Sequence, residues 1–178
     1  MLINPNSNIT NIKFPTKQDA ESFRASTASA FLGVVICLAP SIPTSLSAPI
    51  PPPTPIGRLS LSAQAPHTQH HRNTELGLDI LPLYQGKGYG REAINWALNY
   101  AFKRAGFHKV RIRAFEWNEG AVRLYERVGF KHEGRERESI WHEGRFWDSI
   151  EMGMIDREWW ELRRQEAEQE KKESEAVI

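Results

Sequence analysis

The chain is poor in the residues that would make it a metal or disulfide protein. Cys37 is the only cysteine among 178 residues, which excludes an internal disulfide framework and any cysteine-based zinc cluster. The six histidines form no metal-binding pair on a helix face, and His67, His70 and His71 fall in an irregular stretch, so no metal site is expected. Charge of one sign is missing too. A formal net charge of +1 argues against a generally basic nucleic-acid binder.

Long hydrophobic runs are also lacking. The segment 30–39, "AFLGVVICLA", is the only strongly apolar stretch and is too short to span a bilayer as a helix. Arg24 before it and "SLSAP" after it imitate a secretory signal. However, some thirty residues of broadly polar sequence, Asp19 and Glu21 among them, precede it, and a buried strand is the better reading. The chain is therefore expected to be soluble and cytoplasmic, with no membrane partner.

Proline is abundant but unevenly placed. Residues 40–66 hold eight of the eleven prolines, including "APIPPPTP", a composition that suits an extended linker or loop insertion and not a central strand. Before it, residues 16–24 read as a short helix and residues 32–38 as a strand. After it the patterning becomes regular. "IGRLSLS" (56–62) and "TELGLDIL" (74–81) alternate apolar and polar residues, as half-buried strands do, and Pro82 ends the second.

A helix then carries Ile94, Ala97, Leu98, Ala101 and Phe102 at helical spacing, stopped at Gly106. "KVRIRAF" (109–115) is a strand. Asn118 is an N-cap for a helix whose buried stripe is Ala121, Leu124, Tyr125 and Val128, with Gly129 as its end. Two strands near 130–141 and 145–154 are joined by a hairpin turn, and a densely charged helical tail follows from Asp156. This order defines an α/β domain with a mixed sheet. The expected organisation is an atypical N-terminal segment over 1–55, a domain over 56–160 and a charged tail over 161–178.

The stretch "LYQGKGYGREA" (83–93) places Gly86, Gly88 and Gly90 between a strand and a helix. The first amides of a helix lack intrahelical partners, and a glycine-rich turn before them makes a cradle for an anion. Lys87 and Arg91 add positive charge. The ATP-type loop fails here, because no Gly-Lys-Ser/Thr ending is present. The dinucleotide fingerprint fails as well, since its third glycine would fall at Arg91. A tight turn without a ligand is the competing reading.

Gln85-x-x-Gly88-x-Gly90 resembles the Gln/Arg-x-x-Gly-x-Gly/Ala signature of the GNAT superfamily of acetyl-CoA-dependent N-acetyltransferases. "NEGAVRLYERVGF" (118–130) is similar to that family's Asn-x-x-Ala-x-x-Leu-Tyr-x-x-x-Gly-Phe pattern. "EGRERESIWHEGRFWDSIEMGM" resembles the last hairpin of its ribosomal-protein-alanine acetyltransferase type. The resemblance covers about residues 56–160. It implies the GNAT (acyl-CoA N-acyltransferase) fold, a mixed, mostly antiparallel sheet flanked by helices. The family's opening strand and helices are not recognisable in the first fifty-five residues, so the N-terminal elements are incomplete.

The resemblance also implies roles. The pyrophosphate of acetyl-CoA would sit on the backbone of Gln85, Gly86, Lys87, Gly88, Tyr89, Gly90 and Arg91. The pantetheine arm would lie where strands 74–81 and 109–115 splay apart, commonly at a β-bulge, against backbone groups of Ile80 and Leu81. Asn118 matches an asparagine that contacts the arm and serves equally as an N-cap. Tyr125 matches the tyrosine that protonates or positions the departing thiolate, a role favoured over that of a plain core aromatic. Glu75 is read with equal weight as a base acting through water and as an exposed strand glutamate; Glu116 is a weaker candidate base. The implied reaction is acetyl transfer to a primary amine, on a protein N-terminus or a small molecule. The competing reading is a truncated protein that binds CoA without efficient turnover.

Overall fold

The computed structural model describes residues 28–39 and 51–175, together with Glu21 and Ala25. The expected helix over 16–24 lies largely outside these residues. Among the described residues, six strands form one mixed sheet in the order β1-β2-β3-β4-β6-β5, with β1 at Leu32–Leu38, β2 at Thr54–Leu61, β3 at Asn73–Ile80, β4 at Lys109–Phe115, β5 at Lys131–His142 and β6 at Arg145–Ile155. Helices among the described residues include α1 (Tyr89–Asn99), α2 (Glu119–Val128) and α3 (Asp156–Glu175). Only the β3–β4 pair is parallel, and it runs from Asn73↔Lys109 to Glu75↔Arg111.

The chain divides into two compact units. One comprises the described residues up to Ala63 with Leu76–Ala97; the other comprises Gln64–Glu75 with the described residues from Leu98 onward. In the first unit, Ile56, Leu59, Leu61, Leu76, Ile94 and Ala97 are buried, and they come from the alternation of β2 and β3 and the apolar stripe of α1. β2 begins earlier than its pattern suggested. Thr54 and Pro55 pair with Leu38 and Cys37, so part of the proline stretch does enter a strand that has neighbours on both sides. Pro55 is tolerated because it is the second residue of the strand and sits beside a register shift, where the ladder is already interrupted.

In the second unit, alternate residues of β4 (Val110, Ile112, Ala114) and β6 (Ile150, Met152, Met154) are buried, as are Tyr125 and Val128 of α2, Phe130 and Trp159. The helix begun by α1 does not continue unchanged to Ala105. It widens over Tyr100–Arg104 into a π-type turn, in which the Ala105 amide donates to the Tyr100 carbonyl at 3.0 Å. α3 starts on a partial capping box, with Glu158 accepting from the Ile155 amide at 3.1 Å. Beyond Trp159 it is largely exposed and laced with ion pairs such as Arg163–Glu166 and Arg164–Glu161.

Gly129 closes α2 with φ at 108°, and a Cβ built there would lie 2.5 Å from Leu162 Cδ1 and 3.3 Å from Met154 Cε. Gly129→Ala therefore combines left-handed strain with overpacking. A loss of about 2–3 kcal/mol of stability is expected, read as a lower urea midpoint with an unchanged slope. An unchanged midpoint would show that the end of α2 is not held as described.

Candidate functional site

The first unit carries the glycine loop. β3 ends before Pro82, and a single 3₁₀ turn over Pro82–Tyr84 redirects the chain. The Leu81 amide donates to the Ile56 carbonyl at 2.8 Å, and the Gln85 amide donates to the Pro82 carbonyl at 3.2 Å. The Gln85 side chain turns back and donates from Nε2 to the Ile80 carbonyl at 2.8 Å. Gln85 thus ties the loop to the end of β3, a role its position in the motif did not disclose. The Ile80 carbonyl and Leu81 amide are accordingly both engaged within the chain.

Gly86 and Gly88 have φ of 72° and 90°, a region costly to any residue with a Cβ. A Cβ built on either meets nothing within 4 Å, so glycine is required by conformation and the space above both residues is open. The Gly88 carbonyl accepts from the Glu92 amide at 3.2 Å, which puts the amides of Tyr89, Gly90 and Arg91 in the first helical turn, where no intrahelical acceptor exists. Lys87 Nζ lies 5.6 Å from the centre of the Tyr84 ring. An exposed, positively charged loop opening a helix is suited to a phosphate group, and the space over Gly86 and Gly88 is open to one.

β3 pairs with β2 from Gly57↔Ile80 to Leu61↔Leu76 without a shift. Its parallel register with β4 also lacks one. Neither pairing contains a β-bulge, and the pairing with β4 ends at Glu75↔Arg111, short of Ile80. The irregularity falls instead between β1 and β2, at Ile36/Cys37, beside a proline that cannot donate to the ladder.

The second unit carries Glu75, Asn118 and Tyr125. Glu75 Oε1 accepts from Arg113 Nε at 2.9 Å, a pair joining the start of β3 to β4. Burial opposes charge on the Arg113 guanidinium, but the carboxylates of Glu75, Glu151 and Glu136 together outweigh it and hold the guanidinium above its ordinary pKa. Asn118 caps α2, its Oδ1 accepting from the Ala121 amide at 3.2 Å. Tyr125 lies on the same helix and is buried, with its ring centre 6.2 Å from that of Phe130.

Two arrangements here escaped the sequence. Trp117, next to Asn118, stacks on Phe115 (4.4 Å between ring centres) and on His142 (4.2 Å), and meets Trp147 edge-on at 5.4 Å. The aromatic spacing along β4 and the hairpin was the only available hint. The other is a polar node. Arg135 Nη1 donates to Glu116 Oε1 at 3.0 Å and to Asp148 Oδ2 at 2.8 Å. The Glu138 amide donates to Asp148 Oδ1 at 2.8 Å, and Glu138 itself has φ of 51°. The register jumps from Glu136↔Ser149 to Ile140↔Trp147, so residues 137–139 form a bulge facing Asp148 alone.

The Glu138 amide, helped by the Arg135 guanidinium, holds the Asp148 carboxyl below its ordinary value despite the opposing effect of burial. A depressed carboxylate contributes stability that is fully present above its unfolded pKa and is lost as pH falls through the folded one. Asp148→Asn should therefore be less stable than the parent at neutral pH and converge with it below the carboxylate range. Thermal melts of both proteins between neutral and strongly acidic pH test this; a constant gap across that range would refute the role of Asp148.

With this geometry, the fold is the GNAT acetyltransferase fold, and residues 50–130 match the Acetyltransferase (GNAT) family. The spermidine N(1)-acetyltransferase of Vibrio cholerae is 39% identical over 85 residues, covering 48% of this chain and 49% of that protein. The Escherichia coli K12 spermidine N(1)-acetyltransferase is 32% identical over 82 residues, covering 46% and 44%. The chain thus spans about half the length of the curated relatives it matches. The crystal structure of spermidine N-acetyltransferase from Vibrio cholerae in complex with CoA and spermine superposes with a TM-score of 0.66 at 26% identity, over 83% of this chain and 79% of that one. These relatives are named for a polyamine, and the finer resemblance to the ribosomal-protein-alanine type gains no support from them.

Proposed function

We propose that this chain is an acetyl-CoA-dependent N-acetyltransferase acting on a small primary amine of the polyamine class. The observation that carries this reading is the Gly86–Arg91 loop, with its left-handed glycines opening α1 inside a segment that matches the acetyltransferase family. The relatives named for spermidine favour a polyamine over a protein N-terminus as acceptor.

In the proposed reaction the loop amides hold the coenzyme's pyrophosphate. The neutral amine attacks the thioester carbonyl, a C–N bond forms and the C–S bond breaks. The amine's proton passes to a base through water, and the thiolate takes a proton from the Tyr125 hydroxyl. Glu75 is the proposed base. Its pairing with Arg113 holds and orients the carboxylate. Glu75→Gln, which removes that base, is expected to reduce kcat by about 100-fold, the low end of what general base catalysis contributes.

A second reading, coenzyme binding without turnover, is favoured by the Ile80 carbonyl and Leu81 amide, both of which are engaged within the chain. Thiol release from acetyl-CoA across a panel of spermidine, spermine, a monoamine and a peptide with a free N-terminus separates the two. Polyamine-dependent release is expected. A coenzyme-induced thermal shift with no release on any acceptor would establish the second reading instead.

A further inference from the structure

The two edges of the sheet are built differently. β5, at one edge, carries the charged run Lys131–Ser139 and the bulge at Glu138, devices that keep an edge from pairing with another chain. β1, at the other edge, has none of them. Its sequence, Leu-Gly-Val-Val-Ile-Cys-Leu, contains no charge and no proline. The register shift beside it is absorbed by Ile56 of β2, since Ile36 pairs with Gly57 and Cys37 with Pro55, so β1 itself stays regular. Among the described residues its only strand partner is β2.

The apolar residues of this edge are poorly covered. Leu32, Val34, Ile36 and Leu38 share one face and are only half-buried. Val35, on the opposite face, is 67% exposed, and Cys37 beside it is also exposed.

The sequence of β1 is close to a palindrome about Val35. In an antiparallel pair of two copies centred there, Leu32 meets Leu38, the small Gly33 meets the small Cys37, β-branched Val34 meets Ile36, and Val35 meets itself. Directly opposite residues in an antiparallel pair point to the same face. This register therefore joins the two half-buried apolar rows into one continuous surface. A one-residue slip would set the apolar row of one copy against the exposed row of the other. The stretch is uncharged, so the copies meet without repulsion. A two-fold interface requires such a self-complementary surface.

The geometry points to β1 as a dimerisation edge, in which two copies of this chain pair antiparallel across Val35 and extend the sheet through both. A seven-residue strand offers less than the about 800 Å² per partner of a standard interface, so the association is expected to depend on concentration.

Sedimentation velocity on the intact chain, from low to high micromolar concentration, should show conversion from monomer to dimer. Val35→Lys places two ammonium groups across the axis, and it should shift the dissociation constant at least about 10-fold upward while leaving the melting temperature of the monomer nearly unchanged, because the site is exposed. Val35→Cys in a Cys37→Ser background should form an intermolecular disulfide on mild oxidation, since opposite residues lie within disulfide reach. The parent, whose Cys37 faces Gly33 of the other copy, should not. A monomer at every concentration, a dimer indifferent to Val35→Lys, or cross-linking through Cys37 and not through position 35 would each overturn the assignment.

Discussion

Gly88→Val is expected to weaken acetyl-CoA binding by about 100-fold or more, equivalent to about 2.7 kcal/mol. Two effects combine. The residue has φ of 90°, so a β-branched side chain must either bear the strain of that conformation or shift the loop. If the loop keeps its shape, the new side chain occupies the open space above Gly88, where the proposed pyrophosphate sits. Gly88→Ala should show an intermediate loss. Lys87→Ala, which leaves the backbone alone, should lose only a few-fold and become less sensitive to salt. Titration calorimetry with acetyl-CoA measures all three, and full affinity in Gly88→Val would remove the loop from the binding site.

The second large effect is at Tyr125. Tyr125→Phe should lower kcat by about 100-fold, in line with the lower range of general acid catalysis, while the affinity for acetyl-CoA stays within a few-fold of the parent. The phenyl ring conserves the packing of this buried position against Phe130, so the substitution tests the hydroxyl and not the core. Rates should recover partially in a series of acyl donors whose thiols are better leaving groups, because these need protonation less. An unchanged kcat would return Tyr125 to the status its helical stripe alone suggests, that of a core aromatic.

Much of the fold is legible in the amino-acid order itself, for a local reason. β4 has the bounds 109–115 that alternation gave it, since period-two burial is recorded in consecutive residues, and β1 the bounds 32–38 read from its apolar run. Asn118 and Gly129 marked the ends of α2 correctly because caps are also local signals. Features that depend on distant register were hidden. The Glu75–Arg113 pair joins residues 38 apart in sequence. The Asp148–Glu138 contact exists only because β5 bulges opposite β6. Pro55 read as a breaker, yet it lies in β2 beside the β1–β2 register shift, which no local pattern announces. The candidate site divides in the same way. Its glycines stood out by spacing and Tyr125 by resemblance to the family's pattern, whereas the backward bond of Gln85 to Ile80 is a matter of loop geometry.

The central claim is that this chain moves an acetyl group from sulfur to nitrogen. Its most direct test is the mass of the amine after incubation of the full chain with acetyl-CoA and spermidine. The account predicts a spermidine species heavier by one acetyl group, with one free thiol released for each acetylated amine and neither product in the Gly88→Val protein. Thiol release without acetylated amine, or unmodified spermidine after saturation with acetyl-CoA, would contradict it.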